Sequence, residues 1–332
     1  MDALIELREV SKRHSQRGLL AGGRGGVLAV DRVSLQVRRG TVFGLVGESG
    51  CGKTTLARAL LLLDPPTSGE VLYDGVALGS LSRGELRSRR RRMQIVFQDP
   101  NSALDPRMRV GTSVEEGLRN LRVARGERAR RVRELLELVG IQPELASRYP
   151  HEFSGGQKQR IVVARALTMD PEFLVLDEPV SNLDVSIQAQ IINLLLDLKE
   201  RLSLTYLFIS HDLHLVAYLA DDVGVMYRGR LVETAPTERL MARPVHPYTR
   251  RLFSSAPGAV PLPEAAVDGA PDAVPAVDAP RSAAAVRAGC PYGDLCPRRD
   301  ARCGEEEPVL GDIGDGHRVA CHHPGTDGGV SR

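Results

Sequence analysis

The chain has 332 residues, 42% hydrophobic and 26% charged, the mixture of a soluble globular protein and not of a disordered one. Forty-four basic residues against 42 acidic ones leave a net charge of +2, so no global field points to a nucleic-acid partner. No apolar run reaches the about 18 residues that span a bilayer, and the stretch 1–10, with Asp2, Glu6 and Glu9, lacks the apolar core of a secretory signal.

In chain order, strands are predicted over 4–10, 33–37 and 41–46. The third runs into a glycine-rich turn and a helical stretch over 53–63. Further strands are predicted over 70–73 and 93–97. Arg83, Arg87, Arg89, Arg90, Arg91 and Arg92 precede the latter and read as a solvated loop or helix, in preference to a lipid or nucleic-acid contact. Residues 112–139 read as one helical block, with Val132, Leu135, Leu136 and Val139 three and four apart on one face. Strands return over 173–176, 205–209 and 223–227, with helical stretches between them. Such alternation predicts α/β layers around a largely parallel sheet, with the helical block inserted into it. Beyond about Ser255, Pro257, Pro261, Pro263, Pro271, Pro275 and Pro280 punctuate an Ala/Val/Asp-rich stretch that reads as an extended linker.

The stretch Gly47-Glu48-Ser49-Gly50-Cys51-Gly52-Lys53-Thr54 fits G-x-x-x-x-G-K-[ST] after a strand and before a helix. Its glycines let backbone N–H groups turn in around phosphate oxygens, and the helix N-terminus adds a positive dipole end. Lys53 would reach the β- and γ-phosphates and Thr54 would ligate Mg²⁺. Phe173-Leu174-Val175-Leu176 ends in Asp177-Glu178. A buried strand of that kind delivers Asp177 to the Mg²⁺ shell and leaves Glu178 where a general base could polarise water. Ser154-Gly155-Gly156-Gln157 opens a helical run, either as an ordinary N-cap, the reading favoured in isolation, or as an anion site.

Taken together, these pieces resemble the ATP-binding cassette of ABC transporters. The order is the Lys53 loop, Gln98, Ser154-Gly155-Gly156-Gln157, Asp177-Glu178, Ser181-Asn182-Leu183-Asp184 and His211. The resemblance implies a P-loop NTPase fold: a RecA-like core, an antiparallel β subdomain and an inserted α-helical subdomain. It also implies a nucleotide-sandwich dimer, in which each ATP lies between one subunit's loop (Gly47 to Thr55) and the other's Ser154 motif. Gln98 would sense the γ-phosphate and Mg²⁺ and couple to the membrane partner. His211 would contact the γ-phosphate and hold Glu178 and water, and Asp184 would bridge the subunits. GESGCGKTT over 47–55, MQIVFQDPNSALDPRM over 93–108 and HPYTRRLF over 246–253 narrow the resemblance to the oligopeptide/dipeptide/nickel importer ATPases.

Three positions depart from the family pattern: Phe153 stands before Ser154 where Leu is usual, Asn182 replaces Ala, and no Phe or Tyr lies at 12–15 to stack on adenine. His14 is the candidate there, or simply an exposed strand-end residue. The resemblance implies ATP hydrolysis powering a binding-protein-dependent importer, with ATP and Mg²⁺ as ligands. The implied partners are a second ATPase subunit, in the family's manner a distinct paralogue in preference to a second copy, two transmembrane permease subunits and an extracytoplasmic solute-binding protein, and the implied location is the cytoplasmic face of the membrane. The alternative, a soluble ABC ATPase acting on nucleic acid or ribosomes, usually shows two cassettes or long coiled-coil insertions, and a non-hydrolysing partner would lack some of these residues.

Cys51 beside Lys53 is the family's usual small residue. Cys290, Cys296, Cys303 and Cys321 are spaced C-x5-C-x6-C-x17-C. Four thiolates suit a [4Fe–4S] cluster or tetrahedral Zn²⁺, and the absence of tight C-x2-4-C pairs leans toward iron–sulfur. His317, His322 and His323 could support or replace a ligand. The expected organisation is a cassette over 1–235 (helical subdomain about 100–155), an HPYT segment over 236–257, a Pro/Ala-rich linker over 258–286 and a Cys-rich metal module over 287–325.

Overall fold

The structure is a computed structural model that describes residues 2–15, 26–255 and 289–324. The linker expected over 258–286 lies outside the described residues. In chain order come β1 (Ala3–Ser15), β2 (Gly26–Arg38), β3 (Val42–Val46), α1 (Lys53–Leu60), β4 (Ser68–Tyr73), β5 (Val76–Ala77), α2 (Arg83–Arg91) and β6 (Met93–Val96). Then follow α3 (Pro100–Ala103), α4 (Val110–Asn120), α5 (Arg125–Leu138), α6 (Gly155–Leu167), β7 (Phe173–Asp177), α7 (Val185–Leu202) and β8 (Thr205–Ile209). The remainder is α8 (Leu213–Leu219), β9 (Asp222–Tyr227), β10 (Arg230–Pro236), α9 (Thr237–Ala242), α10 (Pro247–Ser254), α11 (Ala301–Glu305), β11 (Gly311–Asp312) and β12 (Arg318–Val319). None of the described helices is long and apolar enough to cross a membrane.

The described residues form two compact units, one drawn from 1–5, 37–42 and 73–209, the other from 6–36, 43–72 and 210–332. In the first, β6, β7 and β8 pair in parallel, with Met93 opposite Phe173 and Phe173 opposite Thr205. Every residue of β7 and β8 is buried, which is why their sequences are unbroken apolar runs and not alternations. The predicted single helical block over 112–139 is in fact two helices, α4 and α5. Leu121 caps α4 and Arg122 adopts φ 58°, so the chain turns before α5 begins. On α5, Val132 and Leu136 are buried, as the spacing predicts, while Leu135 is half-buried. The arginine run forms α2, opened by a reciprocal Ser82–Glu85 capping box and with no buried residue. Arg92 pairs with Glu172, and the Arg89 guanidinium lies 5.4 Å from the Tyr73 ring centre.

In the second unit, β1, β2 and β4 pair in the order β2-β1-β4. β3 pairs in parallel with β9, Phe43 opposite Asp222, and β9 pairs antiparallel with β10. The sequence reading missed β10. Its hairpin turns through Arg228 and Gly229, both at positive φ (45° and 83°), a two-residue turn that usually advertises itself as Asn-Gly or Asp-Gly. β12 adds to β10 with Val319 opposite Glu233, and β11 adds to β12. The tail is thereby bound to the sheet. The fully buried Glu233 carboxylate accepts the N–H groups of Val245 (2.7 Å) and His246 (2.9 Å) and the Nε2–H of His317 (2.7 Å). His317 is therefore engaged in anchoring the tail, which corrects its reading as a metal-supporting residue.

Candidate functional site

In the second unit the five residues of β3 are all buried and deliver the chain into the Gly47–Gly52 turn. Gly52 caps α1 at φ 109°, and a Cβ there would sit 2.3 Å from the Ala29 carbonyl oxygen. Only glycine fits that approach. Lys53 opens α1 and is 5% exposed. Its Nζ donates to the carbonyls of Gly47 (2.7 Å) and Glu48 (2.9 Å) and lies 3.7 Å from Cys51 Sγ. The turn is also held from outside. Gly229 N–H donates to the Cys51 carbonyl (2.8 Å), and Glu48 N–H donates to the Tyr248 hydroxyl (3.1 Å). Burial pushes the Cys51 thiol up against the opposing effect of Lys53, so it is not an activated thiolate.

His14 ends β1 on the exposed side, with Nε2 3.5 Å from the Thr55 hydroxyl and Nδ1 3.7 Å from Asp64 Oδ2. The fold thus brings the candidate adenine-stacking residue to the first turn of α1. His211 lies in the loop before α8. Its neighbour Ser210 donates its N–H to the Leu45 carbonyl on β3 (3.2 Å), and Asp212 caps α8 through His214 N–H (2.8 Å).

In the first unit Asp177 closes β7 and is 4% exposed. Glu178 follows at φ 47°, a left-handed conformation that non-glycine residues seldom adopt. Its N–H donates to the Ile209 carbonyl (3.0 Å). Gln98 Nε2 donates to Glu178 Oε2 (3.0 Å) and to the Ser181 hydroxyl (3.4 Å), and Ser181 donates back to the Glu178 carbonyl (3.2 Å). Gln98, Glu178 and Ser181 therefore form one cluster, with Ser181 a member the sequence reading gave no separate role.

Ser154 caps α6. Its hydroxyl accepts from Gln157 N–H (3.3 Å), while Gln157 Oε1 accepts from Ser154 N–H (3.0 Å). Gly156 is small for packing: a Cβ there would meet Ile187 Cγ2 at 2.5 Å, so the first turns of α6 and α7 are pressed together. Asp184 occupies the N-cap position of α7 without a side-chain cap bond, next to Val185, which is 81% exposed. Ser154, Gly155, Asn182 and Asp184 are all exposed.

In the tail, Asp300, Cys303 and His323 place one ligand atom each within 4.8 Å of one another. His323 Nε2 lies 3.1 Å from Asp300 Oδ2 and 3.8 Å from Cys303 Sγ, and its N–H donates to Cys321 Sγ (3.4 Å). Asp300 was not foreseen, since no spacing distinguishes it from the neighbouring acids. His322 Nε2 instead meets the Glu306 carbonyl (3.0 Å). The Cys290 thiol is pushed up to about 11, by burial first and also by the nearby Cys296, Cys303 and Cys321. Of the four tail cysteines, Cys303 alone belongs to such a grouping of ligand atoms among the described residues.

Two family models match the chain: ABC transporter over residues 30–181, and Oligopeptide/dipeptide transporter, C-terminal region, over 232–303. The chain is 46% identical over 319 residues to a "Putative peptide import ATP-binding protein" of Brucella ovis, covering 96% of this chain and 97% of that one. It is 53% identical over 244 residues to the oligopeptide transport ATP-binding protein OppF of Bacillus subtilis, covering 73% and 79%. Among solved structures it resembles CbiO1 of Clostridium perfringens, part of an ABC transporter complex (TM-score 0.65, 30% identity, 73% of this chain and 92% of that one). It also resembles a dimeric ATP-binding cassette in a post-hydrolysis state bound to ADP and Pi (TM-score 0.62, 28% identity, 70% and 98%).

Proposed function

The chain belongs to the ABC transporter ATP-binding proteins of the oligopeptide/dipeptide type, and from that premise we propose that it hydrolyses ATP to drive a binding-protein-dependent importer of peptides or similar solutes. The observation that carries the reading is the Gln98–Glu178–Ser181 cluster: a carboxylate pinned at a strained backbone position behind a buried Asp177. Strain of this kind persists where a site needs it.

Lys53 and the amides of the Gly47–Gly52 turn bind the phosphates, with Ser49 and Thr55 completing the loop. Thr54, Gln98 and Asp177 would hold Mg²⁺; the all-oxygen donor set and the buried Asp177 carboxylate suit that ion. Its charge would offset that of the β- and γ-phosphates. Glu178 takes the proton of the attacking water, and His211 positions that water and the γ-phosphate. His14 packs on adenine. ATP and water become ADP and phosphate.

Ser154, Gly155, Gly156 and Gln157 act on the ATP of the partner subunit, and Asp184 lies at the dimer contact. The exposure of the first residues of the motif and of Asp184 and Val185 supports this, as does the dimeric state of the cassette with ADP and Pi. The test is Ser154→Arg in the assembled transporter: ATP binding is expected to persist while turnover falls at least about tenfold. Unchanged turnover would remove the motif from the site. A second ATPase, two permease subunits that supply the transport path and a solute-binding protein complete the assembly, which places the chain peripherally on the cytoplasmic face of the membrane.

The domain limits given above belong to the same reading, including a Cys-rich module over 287–325 that holds a metal. A segment this small gains its fold from such a centre. Cys290, Cys296, Cys303 and Cys321 would hold a [4Fe–4S] cluster, with Zn²⁺ as the alternative. The four cysteines of the sequence support a cluster, whereas the Asp300–Cys303–His323 grouping favours zinc. Anaerobically purified protein is expected to be brown and to contain iron and sulfide; colourless protein with zinc would assign the site to zinc.

A further inference from the structure

The tail reaches the phosphate loop by two routes within one unit. The first is aromatic. Tyr292, two residues after Cys290, is 3% exposed, and its ring lies 5.7 Å from that of Tyr248 and 5.3 Å from that of Tyr227, measured between centres. Tyr227 and Tyr248 are themselves 4.5 Å apart. Tyr248 is held from below as well: its N–H donates to His246 Nδ1 (3.1 Å), at a histidine that burial drives down to about 4 and so keeps neutral. The hydroxyl of this clamped ring accepts Glu48 N–H from inside the phosphate loop (3.1 Å).

The second route uses the β9–β10 turn. Arg228 donates to the Pro291 carbonyl of the tail (3.4 Å), and the adjacent Gly229 N–H donates to the Cys51 carbonyl of the loop (2.8 Å). Two consecutive turn residues thus hold the tail and the loop. Opposite them, Lys53 draws the Gly47 and Glu48 carbonyls inward. The peptide group at Glu48 is fixed on both sides, by Lys53 and by Tyr248.

We propose that Tyr248 and Tyr292 are positioning residues for ATP binding: the cysteine-bearing tail holds the Tyr248 hydroxyl against Glu48 N–H and so sets the shape of the phosphate loop. Neither side chain need touch the nucleotide. A loop shaped in advance costs less entropy to close on phosphate, so loss of the strut appears in affinity before it appears in the chemical step. The inference rests on the proposed ATP site.

The structure supplies its own control. The Tyr227 hydroxyl is buried and has no hydrogen-bond partner among the described residues, whereas that of Tyr248 has one. Both changes to Phe keep the ring and its packing. With the full chain, Tyr248→Phe is expected to weaken ATP binding about three- to tenfold, the effect of one neutral hydrogen bond. Phosphate release at saturating ATP should stay within about twofold of wild type, and amide exchange over residues 44–52 should accelerate. Tyr227→Phe should leave ATP affinity as it is. Tyr292→Leu should weaken ATP binding by the same route as Tyr248→Phe. The proposal is overturned if Tyr248→Phe binds ATP as wild type does, if Tyr227→Phe weakens binding equally, or if Tyr292→Leu has no effect. A wild-type chain that binds no ATP would instead overturn the nucleotide site itself.

Discussion

Glu178→Gln is expected to bind ATP at least as tightly as wild type and to lose turnover by about two to four orders of magnitude, the range that a positioned general base contributes. The substitution preserves size and leaves an oxygen to accept from Gln98 Nε2, so the contact at 3.0 Å can survive. The backbone bond from Glu178 N–H to Ile209 and the one from the Ser181 hydroxyl to the Glu178 carbonyl are untouched. What disappears is the negative charge and the ability to take a proton. Removing a carboxylate near the γ-phosphate also removes a repulsion, which favours the ATP-bound state. The variant should therefore accumulate as an ATP-loaded dimer, visible as a shift to larger size on gel filtration with Mg-ATP. Turnover within about threefold of wild type would exclude Glu178 as the base.

Lys53→Ala is expected to weaken ATP binding by about a hundredfold or more. An ammonium hydrogen-bonded to phosphate contributes about 1.5–3 kcal/mol per bond. The loss extends to the empty loop, because Nζ also holds the Gly47 and Glu48 carbonyls, and Lys53 itself is only 5% exposed. The buried Gly47 carbonyl would lose this donor and the part-buried Glu48 carbonyl would keep only the Cys51 N–H (3.3 Å), so the turn would loosen. Lys53→Arg should not restore binding, since a planar fork does not fit where a compact ammonium bridges two carbonyls of one turn. Equilibrium binding of ATP checks both variants, and an affinity within about threefold of wild type for Lys53→Ala would contradict the loop assignment.

The parts of this molecule that were legible in its sequence share a physical feature: the constraint is local. Strand β7 reads directly because a strand buried on both faces is a near-continuous apolar run, here Phe173 to Leu176 before the closing Asp177. The phosphate loop reads directly because a left-handed Gly52 against the Ala29 carbonyl leaves no room for another residue. The Ser154 motif was legible as a helix start for the same reason, and the capping box is there. Its partner role came only from resemblance, since no single chain displays it.

The features that were missed depend on contacts distant in sequence. Strand β10 carries Glu233, whose carboxylate is buried under donors from Val245, His246 and His317. Nothing near Glu233 announces donors that far along the chain. Tyr248 stood in a recognisable HPYT motif, but only the fold reveals that its hydroxyl meets Glu48. His317 lay among the tail's cysteines and so resembled a ligand, whereas the β10–β12 pairing carries it to Glu233 instead. The helical block failed for a smaller reason: a left-handed Arg122 breaks it, and arginine gives no turn signal.

The central claim, that this chain couples ATP hydrolysis to solute import, is tested most directly by phosphate release from the complete transporter in proteoliposomes. Release is measured with and without its binding protein loaded with peptide. The account predicts Mg-ATP hydrolysis that rises several-fold when the loaded binding protein is present and that requires the permease subunits. Hydrolysis that proceeds at the same rate without permease and binding protein, or no hydrolysis at all, would contradict it.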